Sequence, residues 1–340
     1  MSQYFGLEFG SSSIKLAQVN LTGVKGFSVV AAGKVPNSAG SLDFSDSAVT
    51  AKLASSVKKL LAETGVREKR VVVSVPESMV YSRIVEMPQM SEAELSSAIG
   101  WEAEQFVPIP ITEVEMDYSI VDDGKTSKDK KMLVYLVAAP KKQLSAMVDF
   151  LIGIGLDPIA VESEMVAIAR SMSYLQNPGP TLIVSLGALS TLLGIIKGSS
   201  LLFSYVASIG GVAMTRSLAQ SLNLPLAQAE EYKKTYGLKT SELEGKVRQG
   251  LLIAINQVVD EIRKALEYYA TTRGERISRI LLSGGGAYLP DLVIHLSAEL
   301  SGIEVLVADP LSVGRFEKGV VIAKEHAELS VAIGLAQRVF

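Results

Sequence analysis

The chain has 340 residues, 48% of them hydrophobic and 20% charged, which is enough length for two domains with their own cores and the wrong composition for disorder. With 33 Lys+Arg against 36 Asp+Glu the net charge is -3, a poor footprint for nucleic acid or an anionic membrane surface. There is no cysteine, so disulfides, thiolate nucleophiles and Cys-bound zinc are excluded, and the two histidines, His295 and His326, stand apart where a metal site needs clustered ligands.

Met1 leads straight into an apparent strand carrying Glu8, without the basic and apolar regions of a signal peptide, so a cytoplasmic protein is expected. From Tyr4 to Val35 the pattern alternates as short antiparallel strands, with turns at Gly10 to Ser13 and at Gly23 to Gly26. A helix follows with the stripe Val49, Leu53, Val57, Leu60, Leu61 and a stop at Thr64-Gly65. Val71 to Pro76 is short, β-branched and closed by proline, as a buried strand is.

Near Tyr81 the rhythm changes to strand, helix, two strands, helix, which reads as a small inserted α+β unit. Ser91 precedes Glu94 at capping-box spacing and opens the helix that carries Trp101. The run from Phe106 to Pro110 stops it. Glu113 to Val121 and Met132 to Ala139 pair as strands across a solvated DDGKTSKDKK loop, and a helix spans about Lys141 to Ile154. The apolar segment Ala146 to Val161 is broken by Asp149 and Asp157 and falls short of the ~20 residues of a membrane span.

Asn177-Pro178-Gly179-Pro180 reads as a linker into a second lobe. Strands flank Gly187 and Ala188, another strand runs from Ser200 to Val206, and Ile209-Gly210-Gly211 leads into a helix from Val212 to Leu222. Helices are expected at Leu226 to Tyr236 and about Ser241 to Thr272. A strand at Ile277 to Leu282 runs into Ser283-Gly284-Gly285-Gly286-Ala287, and another helix starts near Leu289.

Four of these loops carry a common chemistry. Successive main-chain amides in a Gly/Ser turn cradle an anion, and glycine admits close approach to a phosphate. Gly10, Ser11, Ser12 and Ser13 form one such turn and Gly187, Ala188 and the residues to Thr191 another. Either alone is what an ordinary tight hairpin also uses. Gly210-Gly211 opens a helix and suits a phosphate or ribose. Gly284, Gly285, Gly286 and Ala287 join a strand to a helix, the context of a nucleotide contact. On the long helix, Glu261 and Lys264 share a face one turn apart, suited to a ribose hydroxyl and a purine edge or to a plain solvated ion pair.

This order of elements resembles the actin-like ATPase superfamily. The stretches GSSSIKLAQV, MSEAELSSAIGWEAEQFVPIPITEVEMDYSIV, SIGGVAMTRSLAQSLNLPLAQAEEYK, DEIRKALEYY and LLSGGGAYLPDL resemble, within it, the PilM family of type IV pilus assembly proteins, itself similar to FtsA. The resemblance implies an α/β, actin-like two-lobed (ribonuclease H-like) fold closing on ATP or ADP, with Lys15 joining the first turn at the nucleotide. It implies a first lobe of residues 1–80 with 156–178 and about 320–340 returning to it, an inserted subdomain at 81–155, a second lobe of 181–225 and 265–319, and a helical subdomain at 226–264.

It also implies a partner: the cytoplasmic N-terminal tail of a PilN-like membrane protein, held in a groove between first lobe and insertion, with Tyr81, Trp101 and Phe106 as candidate lining. The protein would then lie at the inner face of the inner membrane through that partner, without inserting itself, with self-association open. The family pattern places an aspartate before each phosphate turn. Glu8 stands at the first position, long enough to reach a hydrated Mg2+ through water, and Ser185 at the second, with no carboxylate to orient water. The expectation is a nucleotide binder with weak or silent ATPase activity. A small-molecule kinase and an FtsA-like filament former are the alternatives.

Overall fold

The computed structural model describes residues 3–22, 26–123, 131–175, 179–198, 200–320 and 322–340. The turn expected from Gly23, most of the hairpin loop before Lys131, and Asn177-Pro178 of the expected linker lie outside the described residues.

The first lobe starts as an antiparallel meander, β1 (Phe5–Phe9), β2 (Ser13–Thr22) and β3 (Gly26–Pro36). Helix α1 (Ser47–Thr64) begins where the Asp46 side chain accepts from the Ala48 and Val49 amides and ends at Gly65, whose φ of 71° suits glycine. Strand β4 (Arg70–Val75) returns parallel to β1. The inserted unit comprises β5 (Tyr81–Pro88), α2 (Glu92–Glu104), β6 (Val114–Asp122) and β7 (Lys131–Pro140), in the sheet order β5-β7-β6. Ser91 and Glu94 form the expected capping box at the start of α2.

Helix α3 (Lys141–Gly153) does not belong to that unit. Met147, Phe150 and Leu151 pack into the core with Phe9, Leu53 and Val73 of the first lobe, so the insertion closes at about Pro140 and not at 155. Strand β8 (Asp157–Ser163) then completes the first sheet beside β4, and α4 (Glu164–Ser171) leads away from it.

The second lobe repeats the plan. β9 (Thr181–Leu186), β10 (Thr191–Lys197) and β11 (Ser200–Ala207) form a meander, followed by α5 (Gly211–Leu222), α6 (Leu226–Tyr236) and α7 (Lys246–Arg273). Helix α7 starts later than the expected 241 because Leu243, Glu244 and Gly245 all take positive φ, which breaks helical geometry. Strand β12 (Arg279–Ser283) lies parallel to β9, then come α8 (Leu292–Glu299), β13 (Glu304–Val307), β14 (Gly314–Phe316) and α9 (Ser330–Ala336). The five-stranded order β11-β10-β9-β12-β13 mirrors β3-β2-β1-β4-β8 of the first lobe, whose outer edge β14 extends. The two turns of interest thus occupy equivalent corners of duplicated sheets.

Helices α4 and α9 cross at the junction of the lobes. The crossing is so close that a Cβ on Gly334 would lie 1.8 Å from the Ala167 carbonyl oxygen. Arg170 locks it, donating to Glu162 at 2.8 Å and to the Gly334 carbonyl at 2.7 Å. The insertion leans on both lobes: Tyr135 shares a buried cluster with Ile196 and Leu201 of the second lobe, and Arg273 pairs with Glu86 at 3.1 Å. Among the described residues, no helix is long and apolar enough to cross a membrane.

Candidate functional site

The two glycine turns are closed in the same way. The Gly10 amide donates to the Ser13 carbonyl at 3.0 Å and the Gly187 amide to the Ser190 carbonyl at 2.9 Å. A Cβ on Gly10 would lie 2.7 Å from that Ser13 oxygen and one on Gly187 2.9 Å from the Ser190 oxygen, so both corners need glycine.

The other two loops stack on the second turn. The Gly211 and Val212 amides donate to the Gly187 and Ala188 carbonyls, both at 2.9 Å. Those helix-opening amides are therefore spent inside the protein, which corrects the expectation that they face a phosphate. Gly284, at φ 75°, brings its Cα against Leu186, where a Cβ would lie 2.6 Å from the Leu186 carbonyl oxygen. Ser283 and Ser185 sit side by side in the parallel register of β12 and β9.

Glu328 brings this assembly against the first lobe. It pairs with Lys34 of β3 at 2.7 Å, and its carboxylate lies 3.6 Å from where a Gly285 Cβ would be. Gly10, Ser11, Leu189 and Ser190 then line one cavity of about 940 Å³ between the lobes. Both turns open on a shared hollow.

Three carboxylates gather at this level. Glu8 is 6% exposed and pairs with Lys15, its cross-strand partner, while its Oε2 is buried without a partner. Burial raises its pKa, and Lys15 opposes that rise. Lys15 is thus committed to Glu8. Burial also pushes Glu77 up to about 7 and, with the nearby charges of Glu8 and Glu77 adding, Glu164 up to about 8. Glu77 and Glu164 both line the cavity. Reading the sequence missed them, although Glu77 follows the proline that ends β4 and Glu164 follows Ser163, whose side chain caps α4.

Glu261 and Lys264 pair with each other at 2.8 Å, with Lys264 70% exposed and within electrostatic reach of Tyr205 on β11. A different i,i+3 pair reaches the glycine loops. Lys233 on α6 is 9% exposed and donates to the Gly211 carbonyl at 3.0 Å, to Thr215 Oγ1 at 2.9 Å and to Glu230 at 2.6 Å. Burial lowers the Lys233 pKa. Glu230 and Lys233 lie within the stretch LAQAEEYK, so a search for acid-base pairs on helices after a Gly-Gly loop would have found them.

Of the three candidate groove residues, Trp101 is 74% exposed and Phe106 packs inside the insertion with Ala103 and Val107. Tyr81 stays at the root of the insertion, paired in register with Ala138. A narrow apolar crevice there is lined by Val75, Met79, Ala139, Pro140, Leu144 and Met147.

Residues 6–340 match the family model described as type IV pilus assembly protein PilM. The fold is similar to a chain of a PilM-PilN type IV pilus biogenesis complex at TM-score 0.85 and 27% identity, covering 98% of this chain and 97% of that one. It is also similar to the ethanolamine utilization protein EutJ from Carboxydothermus hydrogenoformans (TM-score 0.57, 15% identity, 98% and 88% covered). MreB5 of Spiroplasma citri bound to AMPPNP gives TM-score 0.54 at 13% identity, with 97% and 94% covered. The last two likenesses show a shared actin-like two-lobed α/β fold.

Proposed function

The chain belongs to the family of type IV pilus assembly proteins PilM, and from that membership we propose that it is a nucleotide-binding scaffold that seats the N-terminal tail of a PilN-like inner-membrane protein. The observation that carries the nucleotide half is the pair of identically closed glycine turns opening on one inter-lobe cavity. The turns at Gly10 and Gly187 would take the phosphates, the Gly284 to Ala287 loop the adenosine, and Glu230 and Lys233 the ribose side beneath Gly211. The tail half rests on the similar PilM-PilN complex. The partner would bring the protein to the inner face of the inner membrane.

Among the described residues, no group of three or more His, Cys, Asp or Glu side chains is placed to hold a metal unaided. The buried, unpartnered Oε2 of Glu8 fits a hydrated cation that the phosphates of a nucleotide help to hold. Bound Mg2+ would supply charge neutralisation at those phosphates.

Hydrolysis is expected to be slow. Ser185 offers no carboxylate, and Glu164, one of the carboxylates that line the cavity, is largely protonated at neutral pH when its pKa is about 8, so it is a poor acceptor of a water proton. Phosphate release by the purified protein should therefore be weak near pH 7, rise through pH 8, and fall further in Glu164→Gln. Brisk turnover at pH 7 that Glu164→Gln leaves unchanged would refute this assignment. A nucleotide-titration experiment with no binding would refute the cleft itself.

A further inference from the structure

We infer that the outward face of α2, centred on Trp101, is a docking surface for a basic amphipathic helix of a protein other than the one whose tail the scaffold seats. The inference goes beyond that reading and does not depend on it.

Layering puts this face on the outside. Leu95 and Ile99 of α2 cover one side of the insertion's sheet, packing with Val85, Met87, Val134 and Leu136. The other side of the sheet carries Tyr135 and Val137 and packs with Ile196 and Leu201 of the second lobe. Helix α2 is therefore the outermost layer of the insertion, and the side of it opposite Leu95 and Ile99 faces away from the second lobe. Among the described residues, none from α2 lines the inter-lobe cavity or the crevice at the root of the insertion. The surface is separate from both hollows.

The shape of that face describes its occupant. An indole is among the largest apolar groups a chain can bury, yet Trp101 is 74% exposed, and α2 is already held down by Leu95, Ile99 and Ala103. Glu94, Ser97 and Glu104 lie seven before, four before and three after Trp101, so all four share the stripe opposite the buried one, and all are exposed. On the edge of this stripe Gly100 has nothing within 4 Å of where a Cβ would be, which leaves room for a second helix to come close to the main chain. An aromatic anchor beside small residues suits a helix laid across α2.

Charge selects the chemistry of that helix. From Ile84 to Asp123 the chain carries ten acidic residues and no Lys or Arg. Residues 81–140 hold 11 Asp+Glu against 5 Lys+Arg although the whole chain is only -3, so the remainder is net basic. Among the described residues, the insertion's ion pairs join Lys131 and Arg273 to Glu86, and the carboxylates of α2 have no cationic partner. A field of one sign around an exposed indole is complementary to a helix whose apolar stripe is flanked by Lys and Arg. The stripe would bury the indole while the cations steer the encounter. An acidic helix would be repelled.

Trp101 is the chain's single tryptophan, so intrinsic emission reports on this position alone. The full chain and Trp101→Ala are each applied to an array of overlapping peptides that tile the cytoplasmic segments of the type IV pilus proteins from the same genome. Peptides held by the unmodified chain and lost by the variant should be net basic, with apolar residues at helical spacing. In solution such a peptide should shift the Trp101 emission to the blue, bind at least about ten-fold more weakly to Trp101→Ala, and weaken with added salt. Glu94→Gln with Glu104→Gln, in which Gln can still complete the capping box, should weaken binding and flatten the salt dependence. No Trp101-dependent peptide, or dependent peptides that are neutral or acidic, would overturn the inference and leave the scaffold reading standing. So would self-association in sedimentation that Trp101→Ala abolishes, because the face would then belong to a second copy. Dependence confined to the PilN-like tail would also overturn it, by placing Trp101 in the tail seat.

Discussion

Replacing Gly334 by alanine probes the crossing on which both lobes pivot. The added Cβ would sit 1.8 Å from the Ala167 oxygen and 2.4 Å from its carbonyl carbon, where ordinary contact begins at 3.4 Å. Both obstacles are main chain in the middle of α4, so no side-chain rotation relieves the clash and the two helices must part. Parting them pulls the Gly334 carbonyl from Arg170, now at 2.7 Å, and strains the Glu162 pairs anchored beside it. Overpacking typically costs about 1–3 kcal/mol, and with an immovable backbone as the obstacle and a lost hydrogen bond the cost should reach about 3 kcal/mol or more. Thermal unfolding followed by far-UV circular dichroism should show a midpoint lower by roughly 5–10 °C. The control is the same substitution at Gly100, inside α2, where nothing lies within 4 Å of the new Cβ. There alanine should stabilise by about 0.5–1 kcal/mol, since it costs less backbone entropy than glycine in a helix. A Gly334→Ala protein that melts with the unmodified chain would show that α4 and α9 do not cross this closely.

Glu162 is 6% exposed at its side chain and receives Arg170 and Arg338, so Glu162→Ala strands two guanidinium groups and should cost about 3–5 kcal/mol by urea denaturation, part of it recovered when Arg170 is also removed. Stability should fall as pH rises from about 4.5 toward 8. Glu77 and Glu164 have folded pKa values of about 7 and about 8, above the ordinary carboxylate value, so in that window the unfolded chain gives up protons that the folded chain keeps. Urea midpoints measured across the range should show this decline, and Glu77→Gln should flatten it; an equal slope in the variant would contradict the assignment. Ser91→Ala removes the capping box of α2 and should cost about 1 kcal/mol, while an unchanged melting profile would mean that the cap contributes nothing.

Much of the secondary structure was legible because its causes are local. The stripe of α1 with its stop at Gly65, the Ser91-Glu94 box and the glycine corners at Gly10 and Gly187 each depend on forces that act within a turn or two of chain. The family stretches carried the rest of the plan, including two lobes and an insertion. Reading along the chain put the insertion's end at 155 because α3 follows β7 directly, but Met147, Phe150 and Leu151 answer to an apolar face formed by Phe9, Leu53 and Val73, far away in sequence. Trp101, Phe106 and Tyr81 looked alike as candidate groove lining from residue type alone, yet the stripe that α2 buries is Leu95, Ile99 and Ala103, Trp101 projects to solvent, and Phe106 turns into the insertion.

The site divides along the same line. Sequence by itself determined which loops have the backbone freedom to approach a phosphate, since only glycine fits where a Cβ would strike a neighbouring carbonyl. Only the tertiary structure decided which charged groups accompany them. Sheet pairing commits Lys15 to Glu8, and the ends of β4 and β8 bring Glu77 and Glu164 together from 87 positions apart. Glu261 and Lys264 were as plausible on a helical wheel as Glu230 and Lys233, but helix packing sets Lys264 within electrostatic reach of Tyr205 and the second pair beneath Gly211. Periodicity tells which residues share a face; what that face meets is fixed by contacts between segments that the chain order does not place side by side.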